Sequence, residues 1–175
     1  MFAAEIRKTR VARMRGYSQW HWHLDEVFVK INGKLCCLWR AVDHEGEVLE
    51  TVVTVKRDKA AALKFLKRIM KKYGRPRIVV TDGLYSYPAA MKEIGNADRH
   101  EVGRRLNNRA ENSHQPFRRR ERAMQLFRSA KTLQKFSSIH AQVHNHFNQE
   151  RYLVTREVYK QRRSAALVEW RGLAA

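Results

Sequence analysis

Between residues 22 and 55 the apolar and polar positions fall in the pattern of strands. LDEVFVKI and LCCLWRAVD flank Asn32-Gly33-Lys34. An Asn-Gly pair between apolar strands predicts a tight hairpin, because both residues tolerate positive φ. His44-Glu45-Gly46 turns the chain again, and VLETVVTV reads as the third strand of a meander. The period then changes. In RDKAAALKFLKRIMKKYG, Leu63, Leu66, Ile69 or Met70, and Tyr73 recur at helical spacing. Asp58 suits the cap, and Gly74 followed by Pro76 ends the helix. RIVVTD, residues 77–82, predicts a short strand covered on both faces. A strand–helix–strand crossover of this kind favours a parallel strand beside the first.

LYSYPAAMKEIG predicts a short helix starting near Pro88, and RHEVGRRL an edge strand. Helices dominate from residue 108 onward. Residues 131–149 place Leu133, Phe136, Val143 and Phe147 on one face, and a basic helix follows over residues 155–172. The order describes an α/β fold around a mixed sheet.

Composition narrows the partner. The 175 residues suit one domain, and 43% apolar content is enough for a core. Thirty-six Lys and Arg against seventeen Asp and Glu give +19, a surface that attracts polyanions, nucleic acid first. The plainer alternatives are a ribosome-like binding protein or a merely soluble basic one. No apolar run approaches the roughly 20 residues of a membrane span. MFAAEIRKTRVARMRG reads as a basic leader rather than a transit peptide, since it contains Glu5 and lacks serine until Ser18. Nothing resembles a signal peptide, which makes the cytoplasm the default. Cys36 and Cys37 are adjacent in an apolar strand and read as small core residues.

Three carboxylates stand out. Asp25 shares a strand face with Val27, Val29 and Ile31, where an acid is costly unless paired or bound to metal. Asp82 ends the fourth strand before Gly83, at the kind of strand end where ligands gather in open α/β sheets. If the first and fourth strands are parallel neighbours, the two acids converge and repel unless a divalent cation neutralises them. Each has a plainer reading: an arginine partner for Asp25, a turn role for Asp82. Glu111 occupies a capping-box position if Asn108 caps its helix. Pro116, beyond the first turn, should bend that helix. Yet His114, Gln115, Arg118 and Arg122 share roughly one helical face with Glu111, an order suited to a metal beside a phosphate.

Asp25 in HLDEV, Asp82 in VVTDGL and Glu111 in NNRAENSH, with Arg118 seven residues on, resemble the acid triad of DDE transposases. More narrowly the chain is similar to the bacterial insertion-sequence transposases of family six. KINGKLCCLWRAVDHEGEVLE and QKFSSIHAQVHNHFNQER fit that family too, so the resemblance covers most of residues 20–163. It implies an RNase H-like catalytic core, with a mixed five-stranded sheet and flanking helices, over residues 22–150. Before it lies a basic leader (residues 1–21), the remnant of a linker to a DNA-binding region, and after it a basic helix (residues 151–175). It implies metal-dependent DNA cleavage and strand transfer, with Asp25, Asp82 and Glu111 holding two Mg2+ ions, for which Mn2+ can substitute. Asp25 would bridge both ions, Asp82 hold one and Glu111 the other. One ion would activate the water that frees a 3′-hydroxyl, and the other would stabilise the leaving oxygen. The 3′-hydroxyl would then attack target DNA. Arg118 and His114, with Arg119, Arg120, Arg122 and Arg128, would contact DNA. The implied partners are element ends, target DNA and further copies of the chain, with no membrane. Relatives carry a helix-turn-helix region ahead of this core, so the chain reads as truncated at its N-terminus. The second reading is therefore an inactive DNA-binding fragment that inhibits full-length copies.

His140 and His144 are four apart on a helix, but the glutamate of HExxH is missing and His140 falls on the apolar stripe. A satisfied core histidine is favoured over a zinc ligand. Trp20, Trp22 and Trp39 offer faces for base stacking, with core packing the better reading for Trp39.

Overall fold

The computed structural model describes residues 21–103, 105–124, 127–147 and 155–174, so the N-terminal leader and Trp20 lie outside the described residues. Strands β1 (His21–Ile31), β2 (Lys34–Val42) and β3 (Val48–Thr54) form the meander. Asn32 (φ 48°) and Gly33 (φ 81°) make the β1–β2 turn in the left-handed region that the Asn-Gly pair predicts. Helix α1 (Lys59–Tyr73) follows; its cap, Asp58, accepts from the Ala61 N–H at 2.9 Å, and Gly74 closes it with φ 82°. The chain then returns through β4 (Ile78–Thr81), helix α2 (Ser86–Glu93) and β5 (His100–Val102). The five strands lie in one sheet in the order β3-β2-β1-β4-β5. β4 is parallel to β1, and β5 is the edge strand, parallel to β4. The chain thus has the RNase H-like arrangement: a mixed five-stranded sheet with helices on both faces.

Side-chain alternation divides the core between the two faces. On one, Trp22, Leu24 and Trp39 pack against Phe65, Leu66 and Ile69 of α1 and Tyr87 and Met91 of α2. Phe65 and Leu66 carry the buried stripe of α1, while Leu63, Met70 and Tyr73 lie at its margin. On the other, Val29, Ile31, Cys36 and Leu38 meet Phe117, Phe127 and Leu133. Phe117 belongs to α3 (Asn108–Ala123), an unbroken helix that contains Pro116. Leu133 belongs to α4 (Ala130–Phe147). Trp39 and both cysteines are buried, as expected, and Trp22 is only 1% exposed, which removes it as a base-stacking surface.

Helix α4 departs from the apolar stripe its sequence predicts. The side chains it buries are Leu133, Ser137, Ala141, Gln142 and Asn145, whereas Phe136, Val143 and Phe147 are half-buried. The reason is the sheet edge. Asn145 accepts from the Val48 N–H and donates to the Val48 carbonyl, both at 2.8 Å. Gln134 accepts from the Val53 N–H at 2.8 Å and donates to the Thr51 carbonyl at 2.9 Å. Two side-chain amides thus occupy backbone groups of β3 that no further described strand satisfies. Helix α5 (Arg156–Ala174) lies against α4 through Trp170, whose ring meets His146 and Phe147, and through the His146 Nε2 contact with the Ala166 carbonyl at 2.8 Å. No described helix is long and apolar enough to cross a membrane.

Candidate active site

The parallel register brings two of the three acids together. Leu24 pairs with Thr81, so Asp25 and Asp82 are the next residues on neighbouring strands. With Glu26 they form a group whose carboxylate oxygens lie within 4.8 Å of one another. Asp25 projects toward α3 and is 8% exposed; its Oδ2 lies 3.1 Å from Nε2 of buried His114. Burial, only partly opposed by Asp25, holds the His114 pKa below its ordinary value. His114, expected as a DNA contact, therefore faces the acid rather than solvent.

Asp82 sits at the turn that follows β4. Its Oδ1 accepts from the Leu84 N–H at 3.3 Å, so the turn role is realised alongside the convergence on Asp25. Gly83 has φ 102°, and a Cβ there would meet Val102 Cγ1 at 3.4 Å. The position demands glycine for its conformation more than for its space.

Glu26 was not legible as a site residue. It follows Asp25 on β1, where side chains alternate between faces, yet just past the end of the β1–β4 pairing the two carboxylates still meet. Arg57 binds it through Nε at 2.7 Å and through Nη2, and the Tyr87 hydroxyl donates to its other oxygen at 3.1 Å. Burial raises the Glu26 pKa, with Arg57 opposing. Tyr87 is wholly buried and its phenol is held well above its ordinary pKa by burial and by Glu26. The negative charge of Glu26 is thus answered within the protein, while no described cation bonds to Asp82.

Glu111 lies in the first turn of α3, exposed, and makes no hydrogen bond or ion pair with a described residue. Its carboxylate is not within 4.8 Å of both Asp25 and Asp82. The capping box is not formed: Asn108 is the first helical residue, and the cap is Asn107. Asn107 does other work. Its Nδ2 donates to the Leu24 carbonyl at 2.8 Å, tying the start of α3 to β1 one residue from Asp25. The Asn107-Asn108 pair preceding Glu111 is thus partly a positioning device, which spacing alone did not reveal.

Of the arginines, Arg118 turns inward: Nη2 donates to the Phe28 carbonyl at 2.7 Å and Nη1 to Glu121 at 2.6 Å. Arg119, Arg120, Arg122 and Arg128 are exposed. His140 packs among the rings of Phe117, Phe136 and His144, as a core histidine would. It is not satisfied, however: its Nδ1 is buried without a hydrogen-bond partner.

The geometry has counterparts. A family model described as a DDE domain, of the IS240 transposase type, matches residues 19–150. The chain is 36% identical over 126 residues to the transposase for insertion sequence-like element IS431mec of Staphylococcus aureus, covering 69% of this chain and 56% of the relative. The figures are the same for the transposase of element IS257 in transposon Tn4003 of Staphylococcus aureus. The match thus spans about half the length of these relatives. Among solved structures, the trimeric form of the HTLV-2 integrase catalytic core domain, in complex with magnesium, aligns with a TM-score of 0.53 at 13% identity. That alignment covers 81% of this chain and 95% of the integrase core. Asp25 within β1 converging on Asp82 at the end of parallel β4, on this sheet and with these relatives, places the chain among the DDE transposases of insertion sequence family six.

Proposed function

We propose that the chain is the phosphoryl-transfer domain of an insertion-sequence transposase, cutting DNA at element ends and joining it to target DNA with the help of divalent cations. The observation that carries this reading is the convergence of Asp25 and Asp82, with carboxylate oxygens within 4.8 Å. The donor set is all oxygen, which suits Mg2+ or Mn2+ better than zinc. Bound there, two such ions supply Lewis-acid polarisation of the phosphodiester and a deprotonated water at neutral pH. Asp25 and Asp82 hold the ions, and Glu111, uncommitted and projecting from α3, provides the third carboxylate. His114 fixes the orientation of Asp25. Arg118 anchors α3 to β1 near the phosphate, and Arg119, Arg120, Arg122 and Arg128 grip the DNA backbone. The core spans residues 22–150, flanked by the leader and the C-terminal helix, and works in the cytoplasm as a homo-oligomer on DNA. The integrase core with which it shares a fold was solved with magnesium in a trimeric form, in keeping with both proposals.

The test is nicking of DNA that carries the element's ends, with Mg2+, Mn2+ or EDTA. Wild-type protein nicks only with the metals, and Asp25→Asn abolishes nicking. If Asp25→Asn or Glu111→Gln cuts as well as wild type, the assignment is wrong. A second reading, DNA binding without cleavage, draws on Glu111 standing apart from the Asp25–Asp82 pair. It predicts retention of DNA with no nicking in either metal.

A further inference from the structure

A cavity of about 680 Å³ opens between α3, α4 and α5, away from the acids. Arg119 and Arg120 line it from α3, His140 and His144 from α4, and Tyr159 and Arg163 from α5. Among the described residues, no acidic side chain lines it. The imidazoles of His140 and His144 stack with centroids 6.0 Å apart and planes 7° apart, and Phe147 adds an apolar wall. Arg163 Nη1 donates to the Tyr159 hydroxyl at 3.2 Å, which holds that guanidinium at the rim.

A second feature lies deeper. Arg40 is fully buried, and Nε, Nη1 and Nη2 all lack hydrogen-bond partners. It faces Asp25 across the β1–β2 ladder, yet its charge reaches the two histidines. Burial first and Arg40 next lower both imidazoles to about 4. A guanidinium in that position opposes a metal cation on His140 and His144 and favours an anion.

We propose that this cavity takes one unstacked nucleotide of a DNA strand, its phosphate held by Arg119, Arg120 and Arg163 and its base set against the imidazole and phenol rings. The size is that of a small-ligand pocket, and ring faces with guanidinium groups are what an unpaired nucleotide requires. The position suits the reaction. The α3 residues of the cavity run from Pro116 to Ala123, which begins roughly 8 Å and ends roughly 18 Å beyond Glu111 along the helix axis. That is roughly two to five nucleotides of a strand passing the acids. The inference rests on the transposase reading for the identity of the strand, but its test does not require cleavage.

Full-length chain in EDTA is titrated with a short labelled single-stranded oligonucleotide, followed by anisotropy, and an abasic site is moved along the strand. One position is expected to lose affinity about 10-fold, with its neighbours little changed. The double variant Arg119→Gln/Arg163→Gln weakens every strand and erases the dependence on position. The scan is run in EDTA, where no strand is cut, so failure to cut DNA and failure of this pocket are separate results. A flat scan on wild-type protein overturns the proposal, as does a double variant that keeps the position-specific loss.

Discussion

At the scale of single residues, the two glutamates near the acid pair are set apart by what they touch. Glu26 is held by Arg57 and Tyr87, and Glu111 by nothing described. Glu26→Gln therefore lowers stability by about 1–3 kcal/mol, because Arg57 and the buried phenol lose a charged partner. Glu111→Gln leaves urea denaturation unchanged but cuts the nicking rate about 100-fold or more. The reverse pattern, with nicking lost only in Glu26→Gln at unchanged stability, would make Glu26 the third ligand. Arg40 provides a second comparison. Its buried, unbonded guanidinium is a cost to the fold. Burial holds its pKa down to about 10. Arg40→Met is expected to raise stability by about 1–3 kcal/mol. It should also let His140 and His144 titrate closer to their ordinary value, which NMR titration reads directly. A loss of stability would mean that the guanidinium has partners.

Among the elements, α4 closes the β3 edge of the sheet and the turn after β4 carries Asp82. Asn145→Ala removes both bonds to Val48 and leaves a buried N–H and C=O unpaired at the β3 edge. We expect a loss of about 2–3 kcal/mol in urea denaturation, with dimerisation or aggregation through the uncovered edge as its companion. Gly83→Ala asks a residue with a Cβ to hold φ 102°. Strain of about 1–2 kcal/mol follows. Because the turn also aims Asp82, nicking should fall more than thermal stability does. These elements also show where sequence pattern stops informing. The meander, α1 and the parallel β4 were legible because period, Asn-Gly and Gly-Pro punctuation report local backbone chemistry. The buried face of α4 was not, because it is decided by bonds between residues 81 to 97 positions apart.

For the molecule as a whole, charge and protonation set the behaviour. With a net charge of +19, the proposed DNA binding is expected to weaken steeply with salt. Arg122→Gln, exposed and unbonded, should reduce the slope of log affinity against log salt by about 1. Arg118→Gln should cost stability as well, since it also breaks the bond to the Phe28 carbonyl. Acid acts through the histidines. His140 and His144 titrate about 4 in the folded protein against an ordinary 6.5. The unfolded chain thus takes up protons that the folded chain refuses. Their contribution is complete above pH 6.5 and declines as pH falls toward 4. Denaturation at pH 7 and pH 5 checks this, and His144→Leu should flatten the difference.

The sequence by itself determined the strand and helix order, the basic surface and the three acids, because local periodicity, turn chemistry and charge are properties of neighbouring residues. It also carried the family, through HLDEV, VVTDGL and NNRAENSH. Only the tertiary structure decided which acids meet. The parallel register of β1 and β4 sets Asp25 beside Asp82, Arg57 and Tyr87 claim Glu26, and His114 turns from solvent to Asp25. Those outcomes depend on distances across the fold, where burial and pairing rather than sequence spacing determine what a carboxylate or an imidazole touches.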